Sequence, residues 1–356
     1  MRTNRMMVNG RSRRTFLRLS GIVAGSVFFG GVLQACSAAS PTAPATSAPV
    51  NAAPTVAPKP ATLPKLTVSY ASPVGSFAAL WMAKAIGAFD KYGLTVDLQY
   101  IEAATAVSAM VANQIDVEAV SAAPIITADA NGDLDLVMIG AALNHPILGL
   151  YTVPEITNAE QLRGKLVATD KPGTPNDYAA RLSLALLGLT PTDVDLRIVG
   201  SAADVTPAML SGQVPAGVVA PPQSFQVEAK GFHLLQPLFD QPYQSVGLVA
   251  RRSRMDELGS ALPALLASLR DGIQAWNAQP DLAMKTLDDY SKVGDPDVLK
   301  KTYDFFTKTT PFEPTLQPTL PGIKAMMDFL SPTVPKLANY KPEQFVDTRF
   351  LSQLPT

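Results

Sequence analysis

The sequence predicts an α/β chain of two lobes, closed by a helical C-terminal segment. Three observations carry this reading. Strand-like and helix-like segments alternate from residue 66 to residue 250, a pattern that builds largely parallel sheets. The stretch from residue 65 to the end of the 356-residue chain exceeds what one hydrophobic core usually serves. Beyond Arg254 the strand signals vanish and only helical periodicity continues.

The elements follow in order. Residues 66–70 alternate apolar and polar as a strand does, and Ser72-Pro73-Val74-Gly75-Ser76 is a loop. A helix is expected over 77–91, stopped by Gly93. Residues 94–101 alternate again, 103–113 read as a helix and 116–120 as a short strand. Pro124 can open the next helix and Gly132 can close it, before an apolar strand over 134–141. Thr157-Asn158-Ala159-Glu160 has capping-box spacing at a helix start, and Gly164 ends that helix. Strands are then expected at 165–169, 195–199, 217–220 and 246–250, with helices at 177–187, 203–210 and 223–230. Four more helices are expected at 262–276, 281–291, 297–308 and 321–330.

The N-terminus reads as an address. Ser12-Arg13-Arg14-Thr15-Phe16-Leu17-Arg18 precedes an apolar run that ends in Leu33-Gln34-Ala35-Cys36. At about 15 residues the run is shorter than the roughly 20 a membrane-spanning helix needs, and it suits a signal-peptide core. Twin arginine, apolar run and a cysteine after a small residue together resemble a bacterial twin-arginine (Tat) lipoprotein signal over 1–35. Cleavage before Cys36 leaves a lipid-anchored N-terminus on the extracytoplasmic face of the cell membrane; an uncleaved signal anchor is the alternative. Residues 36–64 are rich in Pro, Ala, Thr and Ser and bury no core, so they read as a disordered, extended tether.

Composition narrows the function. The chain carries 29 basic and 30 acidic residues. Loss of the leader's six arginines leaves 23 against 30, a formal net of −7. A mildly acidic surface argues against nucleic acid as a partner. Cys36 is the only cysteine, so no internal disulfide, cysteine nucleophile or thiolate metal cluster can form. His145 and His233 are the only histidines, which excludes a zinc site built from several. No cofactor is implied.

The segment 77–98 carries the most specific resemblance. Ala83-Lys84-Ala85-Ile86-Gly87-Ala88-Phe89 and Gly93-Leu94-Thr95-Val96 resemble the opening of the nitrate/sulfonate/taurine and thiamine-pyrimidine-precursor group of ABC-transporter substrate-binding proteins. Ile115-Asp116-Val117, Leu162-Arg163-Gly164-Lys165-Leu166-Val167-Ala168, the Gly173-Thr174 loop and Ala208-Met209-Leu210-Ser211-Gly212-Gln213-Val214 follow in the family's order. Phe345-Val346-Asp347-Thr348-Arg349-Phe350 resembles its ending. The resemblance implies a hinge-linked type II periplasmic-binding-protein fold. Lobe 1 is expected to hold 65–150 plus 244–356 and lobe 2 to hold 151–243, with crossovers near 149–153 and 242–247. It also implies a monomer that captures a small solute such as a sulfonate, nitrate or pyrimidine and passes it to an ABC permease and ATPase.

Loops at the carboxyl ends of parallel strands lead into helix N-termini, whose free amides suit a ligand. Four such loops supply candidates. In the first, Ser72, Gly75, Ser76 and Phe77 precede a helix; Gly75 permits close backbone approach and Ser76 either caps the helix or meets the ligand. The second brings Ser121 and Ala122. The third brings Asn144 and His145, with the histidine either touching the ligand or holding the hinge. In the fourth, the amides at Gly173, Thr174 and Asn176 can hold an anion or a carbonyl. There Asp177 either reads an amine or steadies its own helix, and Tyr178 either stacks on a ring or packs in the core. Ala220, where Pro221-Pro222-Gln223 departs from the family pattern, marks the far wall. The loops contain no arginine, which weakens a doubly charged anion as cargo.

Two other classes compete. An extracytoplasmic enzyme on this fold finds no nucleophile elbow, phosphate loop, zinc-protease helix or dinucleotide fingerprint in the sequence. A ligand-sensing lipoprotein would share tether and fold without delivering a solute.

Overall fold

The computed structural model describes residues 63–132 and 134–354. The leader, Cys36 and the tether as far as residue 62 lie outside the described residues. The fold is α/β, in two five-stranded sheets, with helices filling the C-terminal part.

The first sheet begins with β1 (Leu66–Tyr70), followed by a 3-10 turn and α1 (Ala78–Ala85). The helix expected over 77–91 is broken at Gly87, whose φ of +70° suits glycine and ends α1 before α2 (Ala88–Lys91). Then come β2 (Val96–Tyr100), α3 (Ala103–Val111), β3 (Val117–Val120), α4 (Ala122–Gly132) and β4 (Leu136–Leu143).

The second sheet starts with β5 (Gly149–Thr152) and α5 (Ala159–Leu162). The cap of α5 sits one residue later than the Thr157 spacing suggests. Asn158 Oδ1 accepts the Gln161 amide at 3.1 Å, and Gln161 Oε1 reaches back to the Thr157 amide at 2.8 Å. There follow β6 (Leu166–Thr169), α6 (Pro175–Leu186), β7 (Asp195–Ile198), α7 (Ala202–Leu210), β8 (Ala216–Val219), α8 (Gln223–Glu228) and β9 (His233–Pro237). The chain then returns to the first sheet as β10 (Val246–Arg251).

The sheet orders are β2-β1-β3-β10-β4 and β7-β6-β8-β5-β9. Each sheet is parallel on one side and antiparallel on the other, where β10 and β5 run against their neighbours. The expectation of largely parallel sheets therefore holds for half of each. Strands β5 and β9 are short, and their residues carry no alternation strong enough to announce a strand; their pairing comes from sheet contacts. Because β5 pairs with β8 and β9, residues 149–152 belong to the second sheet. The first crossover thus runs before Gly149, not through 149–153.

The C-terminal helices are α9 (Met255–Leu258), α10 (Ala261–Ala278), α11 (Pro280–Ser291), α12 (Pro296–Asp304) and α13 (Leu320–Leu330). A single π turn, Phe305–Thr309, continues α12. Proline in the first turn of α11, α12 and α13 explains why their starts are readable, since its missing N–H is not needed there.

Helices cover both faces of the first sheet. Leu66, Val68, Val117 and Ala119 face the core with α1, α10 and α11; Val120, Met138 and Val249 face that with α3, α4 and α13. Trp81 is fully buried and stacks on Tyr290 with ring centroids 4.6 Å apart, a core role as its position in α1 suggests. On the second sheet, Ala180 and Leu184 of α6 pack against one face and Val205 and Met209 of α7 against the other.

Helices α1 and α10 approach backbone to backbone. A Cβ on Gly272 would lie 2.2 Å from the Ala79 carbonyl oxygen and 2.8 Å from the Ala83 amide. Neither atom can yield without moving a helix. Alanine ordinarily gains up to about 1 kcal/mol over glycine inside a helix, but overpacking costs about 1–3 kcal/mol or more. Gly272→Ala is therefore expected to lower stability, read as a reduced midpoint in urea unfolding; an unchanged or raised midpoint would refute this packing.

Candidate ligand-binding cleft

Loops from the carboxyl ends of β1, β3, β6 and β8 open into one cleft of about 1300 Å³. The first contributes Ser72, Ser76 and Phe77; the second, Ser121; the third, Asp170, Gly173, Thr174 and Asn176; the fourth, Ala220. Residues of both sheets thus bound a single space, and eight of the residues anticipated from the sequence meet there.

The other five stand off the wall. Gly75 answers to the core, because a Cβ there would lie 2.4 Å from Phe306 Cε2. The Ala122 amide already donates to the Gln244 carbonyl at 3.2 Å. Asn144 Nδ2 donates to the Gln317 carbonyl at 2.7 Å and to Glu313 at 3.3 Å. His145 is exposed on a bend in the first crossover. Asp177 is committed to its own helix: its carboxylate accepts from Arg181 Nε at 2.7 Å and from the Gly173 amide at 2.9 Å.

Of the two roles expected for Tyr178, the structure shows the core one. It packs among the core residues of the first sheet and also borders the cleft. Its ring stacks on Tyr243 (5.4 Å, 19°) and meets Phe329 edge-on (4.9 Å, 77°). Tyr243 carried no signal in the sequence, since it lies in the return crossover with no motif around it. Tyr100 and Glu102 also line the cleft unannounced. Tyr100 ends an alternating strand on its apolar face, yet it is exposed because the strand outruns the core.

The lining is sparsely charged. Glu102 and Asp170 are its only carboxylic acids and Lys171 its only basic residue, with neither arginine nor histidine among the residues that line it. Burial raises the Asp170 carboxyl above its ordinary value, opposed by the Thr174 hydroxyl that donates to it. Burial likewise raises the Tyr243 phenol, with Ser121 beside it pulling the other way.

The NMT1/THI5-like family matches residues 75–283, more than half the chain and the span that builds most of both sheets. The chain belongs to that family. No curated protein matches the sequence. Among solved structures, the periplasmic aliphatic sulphonate-binding protein SsuA of Escherichia coli aligns with a TM-score of 0.67 at 19% identity, covering 80% of this chain and 92% of its own. The alkanesulfonate-binding SsuA of Xanthomonas axonopodis, bound to MOPS, aligns at 0.65 and 19%, covering 81% and 99%. The periplasmic nitrate-binding protein NrtA of Synechocystis aligns at 0.62 and 16%, covering 82% and 88%. At these identities the likeness establishes the periplasmic-binding-protein fold, in agreement with the family resemblance carried by 77–98.

One pleat below the cleft floor lies a buried acid. Glu118 of β3 is in register with Ser69 of β1, on the face that carries Val120 into the cleft. Both side chains are fully buried and neither finds a hydrogen-bond partner. Desolvation lifts the Glu118 carboxyl from 4.5 to about 9. It is therefore protonated in the folded chain and ionised in the unfolded one between those values. The stability it permits below its ordinary value is lost as pH rises toward the folded value. Glu118→Gln keeps the shape without the charge. The melting temperature of the wild type is expected to fall relative to this variant as pH is raised from about 5 to about 8.5; parallel curves would show that Glu118 is ionised in the fold.

Proposed function

We propose that the protein is an extracytoplasmic solute-binding component of an ABC importer, anchored through a lipid on Cys36. The observation that carries this reading is a solute-sized cleft, bounded by strand-end loops of both sheets, in a chain of the NMT1/THI5-like family. Loops that lead into helix N-termini offer hydroxyls and amides without a nucleophile poised over them, which suits capture rather than turnover. The neighbours named as sulphonate- and nitrate-binding proteins use this fold for binding and support the same role here. Two lobes joined by two crossovers suit closure around a solute. The expected division, 65–150 plus 244–356 against 151–243, belongs to this proposal with its first boundary moved ahead of Gly149. Ser72, Ser76, Phe77, Ser121, Gly173, Thr174, Asn176 and Ala220 are the proposed ligand contacts.

No helix among the described residues is long and apolar enough to cross a membrane. A lipid on Cys36 would then be the membrane attachment, with the Arg13-Arg14 signal directing export and the proline-rich stretch acting as a leash to the permease.

Two experiments test the proposal. Thermal-shift screening against sulfonates, nitrate, pyrimidines and small aromatic acids is expected to find a stabilising compound; a ligand at about 100 times its Kd adds about 2.7 kcal/mol. Catalytic turnover of the hit would overturn the binding role. In cells, Cys36→Ala is expected to abolish incorporation of labelled palmitate into the protein and to leave the precursor uncleaved at this site; labelling that persists in the variant, or is absent from the wild type, would count against the anchor.

A further inference from the structure

The two sheets are built alike. Their orders, β2-β1-β3-β10-β4 and β7-β6-β8-β5-β9, match place for place: three parallel strands, then one that runs against its neighbours. Strands β2 and β7 hold the same edge position. Their last residues are Tyr100 and Ile198, and both line the cleft. They are also the most exposed large apolar side chains among the described residues, at 55% and 53%. The other exposed ones, Val111, Leu186, Leu210 and Leu320, do not line it. In one sheet alone, a strand that outruns its core accounts for such a residue. The same exposure at matching positions of both sheets, in one shared space, marks a surface that an entering group can cover.

A second observation concerns what stands behind Tyr100. Its ring lies 5.8 Å from that of Tyr70, tilted by 35°. Tyr70 in turn meets Trp81 edge-on at 5.5 Å and Tyr290 at 6.1 Å, and those two rings stack on each other. Tyr70 also lies 6.1 Å from Phe77, which lines the cleft. Tyr100 is therefore the open end of a packed aromatic cluster. A ring already held by its neighbours gives up little side-chain freedom when a ligand stacks on it.

We infer that the solute carries an aromatic ring, which stacks on Tyr100 of one sheet and packs against Ile198 of the other, while its polar group meets the loop hydroxyls of Ser72, Ser76 and Ser121. The inference rests on the reading of this cleft as the solute site. Tyr100 and Ile198 are its specificity-determining residues, because a ring supplies apolar area for them to cover and a bare anion does not. A nitrate or a methanesulfonate would engage the hydroxyls and leave both apolar side chains in water.

Isothermal titration calorimetry on the full chain tests this with three pairs of probes, each pair sharing a polar group: benzenesulfonate and methanesulfonate, benzoate and acetate, benzylammonium and methylammonium. In at least one pair the aromatic member is expected to bind about tenfold or more tighter than its short partner. Tyr100→Ala is expected to weaken that aromatic probe on the order of tenfold, and Tyr100→Phe, which keeps the ring face, to hold it within about twofold. Ile198→Ala is expected to weaken it about fourfold. Both residues are exposed, so these variants are expected to fold as the wild type does. Short probes that bind as tightly as their aromatic partners would overturn the inference. Aromatic binding that either alanine substitution leaves unchanged would overturn it as well. So would silence from all six probes with the thermal melt intact. A ringless compound found by the broader solute screen would sink this inference and leave the solute-binding role standing, whereas an empty screen would count against that role itself.

Discussion

Strand β10 fills the slot between β3 and β4, antiparallel to both, and it can do so only because the chain leaves the first sheet, builds the second and comes back. Gly247 lets the strand lie close to Met138, whose Sδ would be 2.8 Å from any Cβ there. The crossover leading into β10 is fastened by Gln244, which is fully buried. Its side chain donates to the Leu143 carbonyl at 3.3 Å and accepts the Thr319 amide at 2.8 Å, while its own carbonyl accepts the Ala122 amide. One glutamine thus ties the return crossover to the end of β4 and the starts of α4 and α13. The two crossovers meet at the Gln244–Leu143 bond.

Aromatic contacts on two sides tie the segment between the crossovers to the C-terminal helices. On one side Tyr178 packs between Tyr243 and Phe329. On the other, Phe225 and Phe239 meet the Phe305 ring edge-on, with Glu228 and Lys301 3.9 Å apart nearby. Aromatic pairs contribute about 0.5–1.5 kcal/mol beyond their buried area, whereas a surface ion pair of this kind contributes between nothing and about 1 kcal/mol. The aromatic contacts therefore hold the flanks, and the ion pair trims them. Between the flanks, serine, threonine and asparagine side chains share the lining with apolar and aromatic ones.

Much of this was legible in the sequence where the cause is local. Proline in the first turn marks α11, α12 and α13, and small polar residues after β1, β3 and β6 mark loops that do reach the cleft through Ser72, Ser76, Ser121 and Thr174. What was misread or left open has causes that local pattern does not show. Gly75 permits a close approach, but the approaching atom belongs to Phe306, more than 200 residues further along the chain. Asp177 was ambiguous between an amine and its own helix, and Arg181 one turn later settled it for the helix. Strands β5 and β9 lack their own pattern, since pairing within the second sheet, not alternation, makes them strands.

By itself the sequence determined the α/β alternation, the helical ending and the family, since these rest on periodicity, turn residues and short motifs whose spacing survives without three-dimensional context. Only the tertiary structure decided which loop residues share a space, which of their amides and carboxylates are already taken, and which buried groups stay unpaired. Partnership between polar groups depends on distance in space, and in this chain the decisive partners, Gln244 with Leu143, Ala122 and Thr319, lie 75 to 122 residues apart.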